Sequence, residues 1–383
     1  MQLSDEPGSL SLYFNVNGYT PDGTTLVIST PTGIATVNLT NRKLTKIATG
    51  HLHLLFVGRK TGTIYYENAT GNSAAAKAIY AVPAAGGPPR LVARIPSGTI
   101  QTINADETRM AGVEEYAPPA KVSGDGLMRD GKHAQTKGEM MKARLEANIP
   151  MRIFVLDLTT GKRRTLVQSS SDWLNHLQFS PSDPNLLLFC HEGDWHRVDR
   201  IWLIRTDEDG AKPLKVHSRT MAMEIAGHEW FSADGNWVWY DLQTPRGQVF
   251  WVAGYEIATG RRLWYNLARD EWSVHYNTSR DGALFSGDGG GPGMVAHASD
   301  GKWIYLFRPQ EMPDEKTGDH ATPPGLPLIH TGVFEAEKLV DLKTHNYHLE
   351  PNASFTPDGK WLVFRSNMHG ASQVYAVEIA KAK

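Results

Sequence analysis

The chain has 383 residues, and its 39 Lys and Arg against 41 Asp and Glu give a formal charge of −2 without a basic stripe, which argues against a nucleic-acid partner. Its 36 Gly, 11 Trp and 13 Tyr suit turns and a pleated, half-buried surface, and no run approaches the roughly 18 apolar residues of a membrane helix. The single cysteine, Cys190, excludes an intramolecular disulfide and leaves cytoplasm and periplasm both open as compartments. No signal peptide is present, and the abrupt start Met1-Gln2-Leu3-Ser4 is compatible with a leader trimmed upstream.

In chain order, a repeated unit emerges. Ser/Thr-x-Asp-Gly turns occur at Ser232-Ala233-Asp234-Gly235, Ser279-Arg280-Asp281-Gly282 and Thr356-Pro357-Asp358-Gly359. β-rich runs follow such turns: Thr25-Leu26-Val27-Ile28, Trp237-Val238-Trp239-Tyr240, Trp303-Ile304-Tyr305-Leu306-Phe307 and Trp361-Leu362-Val363-Phe364. A second β run and a Thr-Gly turn, as at Thr160-Gly161 or Thr259-Gly260, often come next. Short strands at regular spacing predict an all-β fold, and a period of roughly 40–50 residues with four strands per unit is the pattern of a β-propeller. The markers near Asp22, Gly62, Asp106, Asp183, Asp234, Asp281 and Asp358 give a single domain over 1–383 with seven blades, eight being the alternative count. Two intervals exceed one blade. Asp281 to Asp358 holds an extra turn at Asp300-Gly301, placed within one blade.

The other long interval, Asp106 to Asp183, contains an insertion over 116–148. Thr136-Lys137-Gly138-Glu139 has capping-box spacing, and Met140, Met141, Ala143, Leu145 and Ala147 follow without Gly or Pro until Pro150, predicting a short helix. The insertion reads as a surface decoration or, more sharply, as a lid. Cys190 ends the run Leu186-Leu187-Leu188-Phe189, where a buried structural thiol is expected.

Polar residues shortly before the Asp-Gly turns fall on the innermost strand of each unit. They include His51, His53, Gln101, Asn104, Asn175, His176, His228, Glu229, His275, Asn277, Glu350 and Asn352. Buried polar groups need partners, ligands or water, so each lone histidine can be a satisfied structural one, whereas the set points to a site. Within it, His275, His345, His348 and Glu350 form three imidazoles and a carboxylate, with His348 and Glu350 on one face of a strand. Nitrogen and oxygen donors without thiolate suit Mn, Fe, Ni or Zn rather than Ca. A second cluster runs from His191 through Glu192, His196, Arg197, Asp199 and Arg200 to Trp202. Its arginines suit a carboxylate-bearing sugar; the plainer reading is a solvated ion-pair loop.

These residues carry a resemblance. Gly8-Ser9-Leu10-Ser11-Leu12-Tyr13-Phe14-Asn15, Tyr19-Thr20-Pro21-Asp22-Gly23, Cys190-His191-Glu192-Gly193, Arg200-Ile201-Trp202, Gly227-His228-Glu229, Val274-His275-Tyr276-Asn277, Leu349-Glu350-Pro351-Asn352 and Phe364-Arg365-Ser366-Asn367-Met368 are similar to oligogalacturonate lyases of polysaccharide lyase family 22. The resemblance spans 8–368 and implies a seven-bladed propeller that cleaves short galacturonides by β-elimination with a divalent metal, often manganese. It implies metal ligands at His275 and within His345–Glu350, a catalytic His at His228 and a catalytic Arg, placed at Arg200. His176, His191, His196, Arg197 and Asn277 are the expected substrate contacts. The family's C-terminal ligand motif resembles Gln-x-x-His-x-His, whereas this chain has His345, His348 and Glu350, so its site is more negative.

The expected partner is therefore a small acidic oligosaccharide: digalacturonate, unsaturated digalacturonate or trigalacturonate. His228 would take the C5 proton of a uronate, while the metal and Arg200 neutralise the carboxylate. Two rivals remain: a binding propeller of the TolB or WD type without chemistry, and a uronide-active glycoside hydrolase using two of the carboxylates Glu229, Glu192 and Asp199.

Overall fold

The computed structural model describes residues 1–68, 76–116, 136–313 and 328–380. It is all-β apart from the helix Lys137–Ala147 and one 3-10 turn. Two compact units are present, Val16–Ala226 and a discontinuous one made of Met1–Asn15 with Gly227–Lys383. Apart from one parallel pairing, between Arg262–Leu267 and Ile329–Asp341, consecutive strands of each sheet pair antiparallel, the local plan of a propeller blade.

In the continuous unit, the first sheet joins Thr25–Thr30, Gly33–Asn38 and Leu44–Thr49, and Tyr19 bridges to Leu26 at its edge. Three four-stranded sheets follow. They are Leu52–Val57 to Arg90–Ile95, Thr99–Ile103 to Arg163–Ser169, and Trp173–Phe179 to Leu214–Lys215. Their apolar faces form two clusters, one around Phe56, Tyr65 and Phe154, the other around Leu174, Phe189 and Ile204. Cys190 lies fully buried, as a structural thiol should.

The discontinuous unit carries an eight-stranded sheet. Ile225–Phe231, Trp237–Gln243, Phe250–Glu256 and Arg262–Leu267 lie in order. Ile329–Asp341 then pairs parallel with Arg262–Leu267, and Trp303–Glu311, Phe285–Gly287 and Tyr276–Thr278 complete the sheet. Among the described residues, the interval after Asp281 contributes Phe285–Gly287, Trp303–Glu311 and Ile329–Asp341 to this sheet, with Asp300-Gly301 between the first two. A three-stranded sheet of Ser354–Phe355, Trp361–Ser366 and Gln373–Glu378 ends the unit. The first residues add to its outer edge: Gln2 bridges Tyr375, and the Leu3 amide donates to the Val374 carbonyl at 2.8 Å. Aromatic side chains dominate the core, with Phe14, Trp230, Phe250, Trp272, Tyr276, Phe285, Tyr305 and Phe307 each almost fully buried.

The Asp-Gly turns share one construction, which explains their recurrence. At the last, Thr356 Oγ1 donates to Asp358 Oδ1 at 2.6 Å and accepts from the Trp361 amide at 3.1 Å, while Asp358 also accepts from the Lys360 amide. Ser279–Asp281 and Thr20–Asp22 repeat these bonds. Glycine completes the turn because φ there is +68° at Gly359 and +71° at Gly282, a conformation other residues reach only at a cost.

The helix begins where its sequence predicts. Thr136 accepts from the Glu139 amide at 3.2 Å, and Asn148 ends it in the left-handed conformation. The remainder of the insertion, 117–135, on which the lid reading mainly rests, lies outside the described residues.

Candidate active site

In the discontinuous unit, the chain places two histidines side by side, each backed by an acid on or just beyond the neighbouring strand. His228 lies within Ile225–Phe231 at φ +48°. Such a backbone is unfavourable for a side-chain-bearing residue and tends to occur at functional positions. Its Nδ1 is 3.2 Å from Asp241 Oδ2, on Trp237–Gln243. His275, just before Tyr276–Thr278, has Nδ1 2.8 Å from Asp288 Oδ2, and its amide donates to Asp288 Oδ1 at 2.9 Å. The two imidazole centres are 4.7 Å apart and nearly perpendicular.

The carboxylates set the tautomers. An ionised Asp only accepts, so in each neutral imidazole Nδ1 carries the hydrogen and Nε2 presents its lone pair. His275 Nε2 faces the Tyr13 hydroxyl at 3.1 Å and Glu350 Oε2 at 3.7 Å. Asp288 is fully buried and also accepts from the Asn352 amide at 3.0 Å. Asn352, itself at φ +53°, accepts from the Phe14 amide and donates to the Glu350 carbonyl. Asn277 donates to the Phe14 carbonyl and accepts from the Phe355 amide, so its bonded atoms fasten the Tyr13-Phe14 segment.

His275 and Glu350 bring together nitrogen and oxygen donors of the kind a borderline divalent ion accepts. Asp288 holds His275 through Nδ1 as an outer carboxylate holds a metal-bound imidazole, with Nε2 and the Glu350 carboxylate turned toward each other. His345 is arranged differently: Nδ1 is 2.9 Å from Ser366 Oγ and Nε2 2.6 Å from the Leu349 carbonyl. Because a carbonyl only accepts, Nε2 bears the hydrogen and Nδ1 receives that of Ser366. Burial lowers the pKa of this ring, against the Leu349 hydrogen bond and the Asp288 charge. His348 is exposed. Among the described residues, no group of three or more His, Cys, Asp or Glu side chains is gathered as a ligand set. His275 and Glu350 are therefore together, whereas His345 would have to exchange its hydrogen bonds to join them.

The continuous unit holds a second polar cluster with a similar device. His176 lies in Trp173–Phe179 at φ +51°, with Nε2 3.3 Å from Glu192 Oε1. Asn175 donates to Glu192 Oε2 at 2.8 Å and accepts from Gln101 at 2.7 Å. Burial alone would raise the Glu192 pKa, but the His176 hydrogen bond, the charges of His176 and Arg200, and the Asn175 amide hold it at about 2. Arg200 is itself buried. His191 packs against Trp202 at 4.7 Å between ring centres, and burial lowers its pKa. His196 is half-buried; Arg197 is exposed, 3.6 Å from Glu146 and 3.8 Å from Asp194, an ion pair of the weak surface kind.

Sequence reasoning passed over Asp241, Asp288, Tyr13 and Arg365. The signal for the two acids was a spacing, since each lies 13 residues after its histidine. Arg365 comes from Trp361–Ser366; its Nε donates to the Glu350 carbonyl at 2.9 Å and its Nη1 to the Ser11 carbonyl at 3.1 Å.

Paired imidazoles with buried carboxylate partners, on sheets of blade type, make a candidate acid–base site on a propeller-type scaffold. The model of the oligogalacturonate lyase family matches residues 103–383, and the chain belongs to that family. It is 24% identical over 283 residues to the oligogalacturonide lyase of Pectobacterium atrosepticum and 25% identical over 285 to the oligogalacturonate lyase of Dickeya dadantii. Each alignment spans 72% of this chain but 64% of the relative. An oligogalacturonate lyase solved in complex with manganese has a similar fold, with a TM-score of 0.72 at 20% identity, covering 99% of this chain and 93% of that one. The oligogalacturonate lyase of Vibrio parahaemolyticus gives 0.71 at 20% identity over the same shares.

Proposed function

We propose that this protein is a lyase that cleaves short oligogalacturonides, from digalacturonate to trigalacturonate, by β-elimination. The observation that carries the reading is His228, held on edge beside His275 by Asp241, in a chain of the oligogalacturonate lyase family. The eight-stranded sheet is taken as two blades, which with the other five sheets gives the seven that the sequence suggests.

In this mechanism Nε2 of His228 takes the C5 proton of the uronate. The C4–O bond breaks as the C4=C5 double bond forms, and the departing oxygen takes up a proton. Asp241 keeps the base in the competent tautomer and stabilises the imidazolium produced. The negative charge that develops spreads into the C6 carboxylate, where cationic groups stabilise it more than they stabilise the ground state. Arg200 has the carboxylate-binding role that the resemblance implies. A divalent ion, manganese by analogy with the solved relative, would be held by His275 and Glu350 with His345 and His348 as further donors; bound there, it supplies Lewis-acid stabilisation of that carboxylate.

Hydrolysis is less favoured, because Glu192 is committed to His176 and Asn175 and Asp199 to Lys215 and Arg219 instead of flanking a bond as a hydrolase pair does. Incubation with digalacturonate separates the readings. A lyase produces a conjugated unsaturated uronate whose ultraviolet absorbance grows with time, and His228→Ala should abolish that growth. New reducing ends without absorbance would establish hydrolysis instead.

A further inference from the structure

Arg365 is a half-buried guanidinium that has neutral acceptors where a counter-ion would be expected. Among the described residues, its two hydrogen bonds go to main-chain carbonyls, those of Glu350 and Ser11. Among the described residues, no carboxylate lies within ion-pair distance of it, although other arginines of the same unit have one, such as Arg308 with Glu337 at 3.0 Å. The nearby acid Asp288 already receives three hydrogen bonds, from the His275 ring, the His275 amide and the Asn352 amide. Its other neighbour, Glu350, turns its carboxylate toward His275 Nε2 at 3.7 Å.

Removing a guanidinium from water without an anion in direct contact is costly; Glu350 and Asp288 act on it only through their charge, and the two carbonyl anchors fix its orientation through Nε and Nη1, with Nη2 left unclaimed among the described residues. The same carbonyls tie Arg365 to the segments that carry Tyr13 and Glu350, the two residues facing His275 Nε2. We infer that Arg365 is an anion-binding residue of this site and receives a carboxylate of an acidic sugar through Nη2. The inference rests on the proposed function for the identity of the sugar and on geometry alone for the charge.

The test is a ligand-observed NMR titration with D-galacturonate, and with galactose as the neutral sugar of the same ring shape. The natural protein should prefer galacturonate, and Arg365→Gln should weaken galacturonate binding by about 10- to 100-fold while leaving galactose binding unchanged. A merely structural role would weaken both sugars alike, and that result overturns the inference. So does a natural protein that shows no preference, or an Arg365→Gln variant that keeps it. Should Arg365→Gln fail to fold, Arg365→Lys retains the charge but cannot hold both carbonyls and a ligand at once. Its preference should be reduced, and an undiminished one counts against Arg365. If galacturonate preference depends on Arg365 but digalacturonate never yields the absorbing product, the lyase reading falls and the anion site stands.

Discussion

Replacing Glu192 with Gln should weaken the continuous unit in a way that depends on pH. The ordinary glutamate value of 4.5 falls to about 2 in the fold: burial pushes it upward, and the His176 hydrogen bond with the charges of His176 and Arg200 more than reverses that. At about 1.4 kcal/mol per tenfold change, this is about 3 kcal/mol of stability. Because the folded value is depressed, that contribution is fully present above the unfolded value of 4.5 and is lost as pH falls toward about 2. Urea unfolding of the natural protein and the variant, at neutral pH and in steps down to pH 2, measures it. The difference between the two should be largest at neutral pH and close in that acidic window. A gap that ignores pH would show that Glu192 acts through packing, and the electrostatic reasoning would be refuted.

Asp241→Asn can offer an N–H to Nδ1 of His228 and thereby put the ring hydrogen on Nε2, removing the base. The absorbance assay should show kcat lower by about 10²- to 10⁴-fold, and unchanged turnover would release Asp241 from the mechanism. His275→Ala should lower the retained divalent metal, measured by elemental analysis of protein purified without chelators, while circular dichroism stays that of a folded β protein; full retention would move the metal elsewhere.

Much of the scaffold was legible because it is made by local chemistry. Hydroxyl, carboxylate and glycine at fixed offsets build the same turn wherever they recur, and Thr136 with Glu139 marks the helix start to the residue. The histidines could be found because they stand out on strands that otherwise read as apolar. Their partners could not. Asp241 is embedded in Trp237-Val238-Trp239-Tyr240-Asp241-Leu242, a run that reads as core, and its meaning depends on the register that sets one strand against another. The same pairing recurs as His53 with Glu67 at 3.1 Å and His176 with Glu192 at 3.3 Å, at separations of 14 and 16 residues. His345 shows the converse. Its spacing to His348 and Glu350 suggests a ligand, but its two nitrogens satisfy Ser366 and Leu349, neighbours that spacing does not reveal.

The edge pairing of residues 1–4 has a consequence for how the protein comes to be made. Ser4 and Val374, bonded at 2.9 Å, are 370 residues apart in sequence. Joining the ends of a flexible chain of that length costs about 5 kcal/mol, so this contact is favourable only after most other sheets have formed. During synthesis residues 1–4 must therefore wait for a strand made about 370 residues later. Until then Gln373–Glu378 exposes an unpaired edge, a point of entry for wrong partners. The bond between the two segments is a latch closed late, and either can peel away only by opening it.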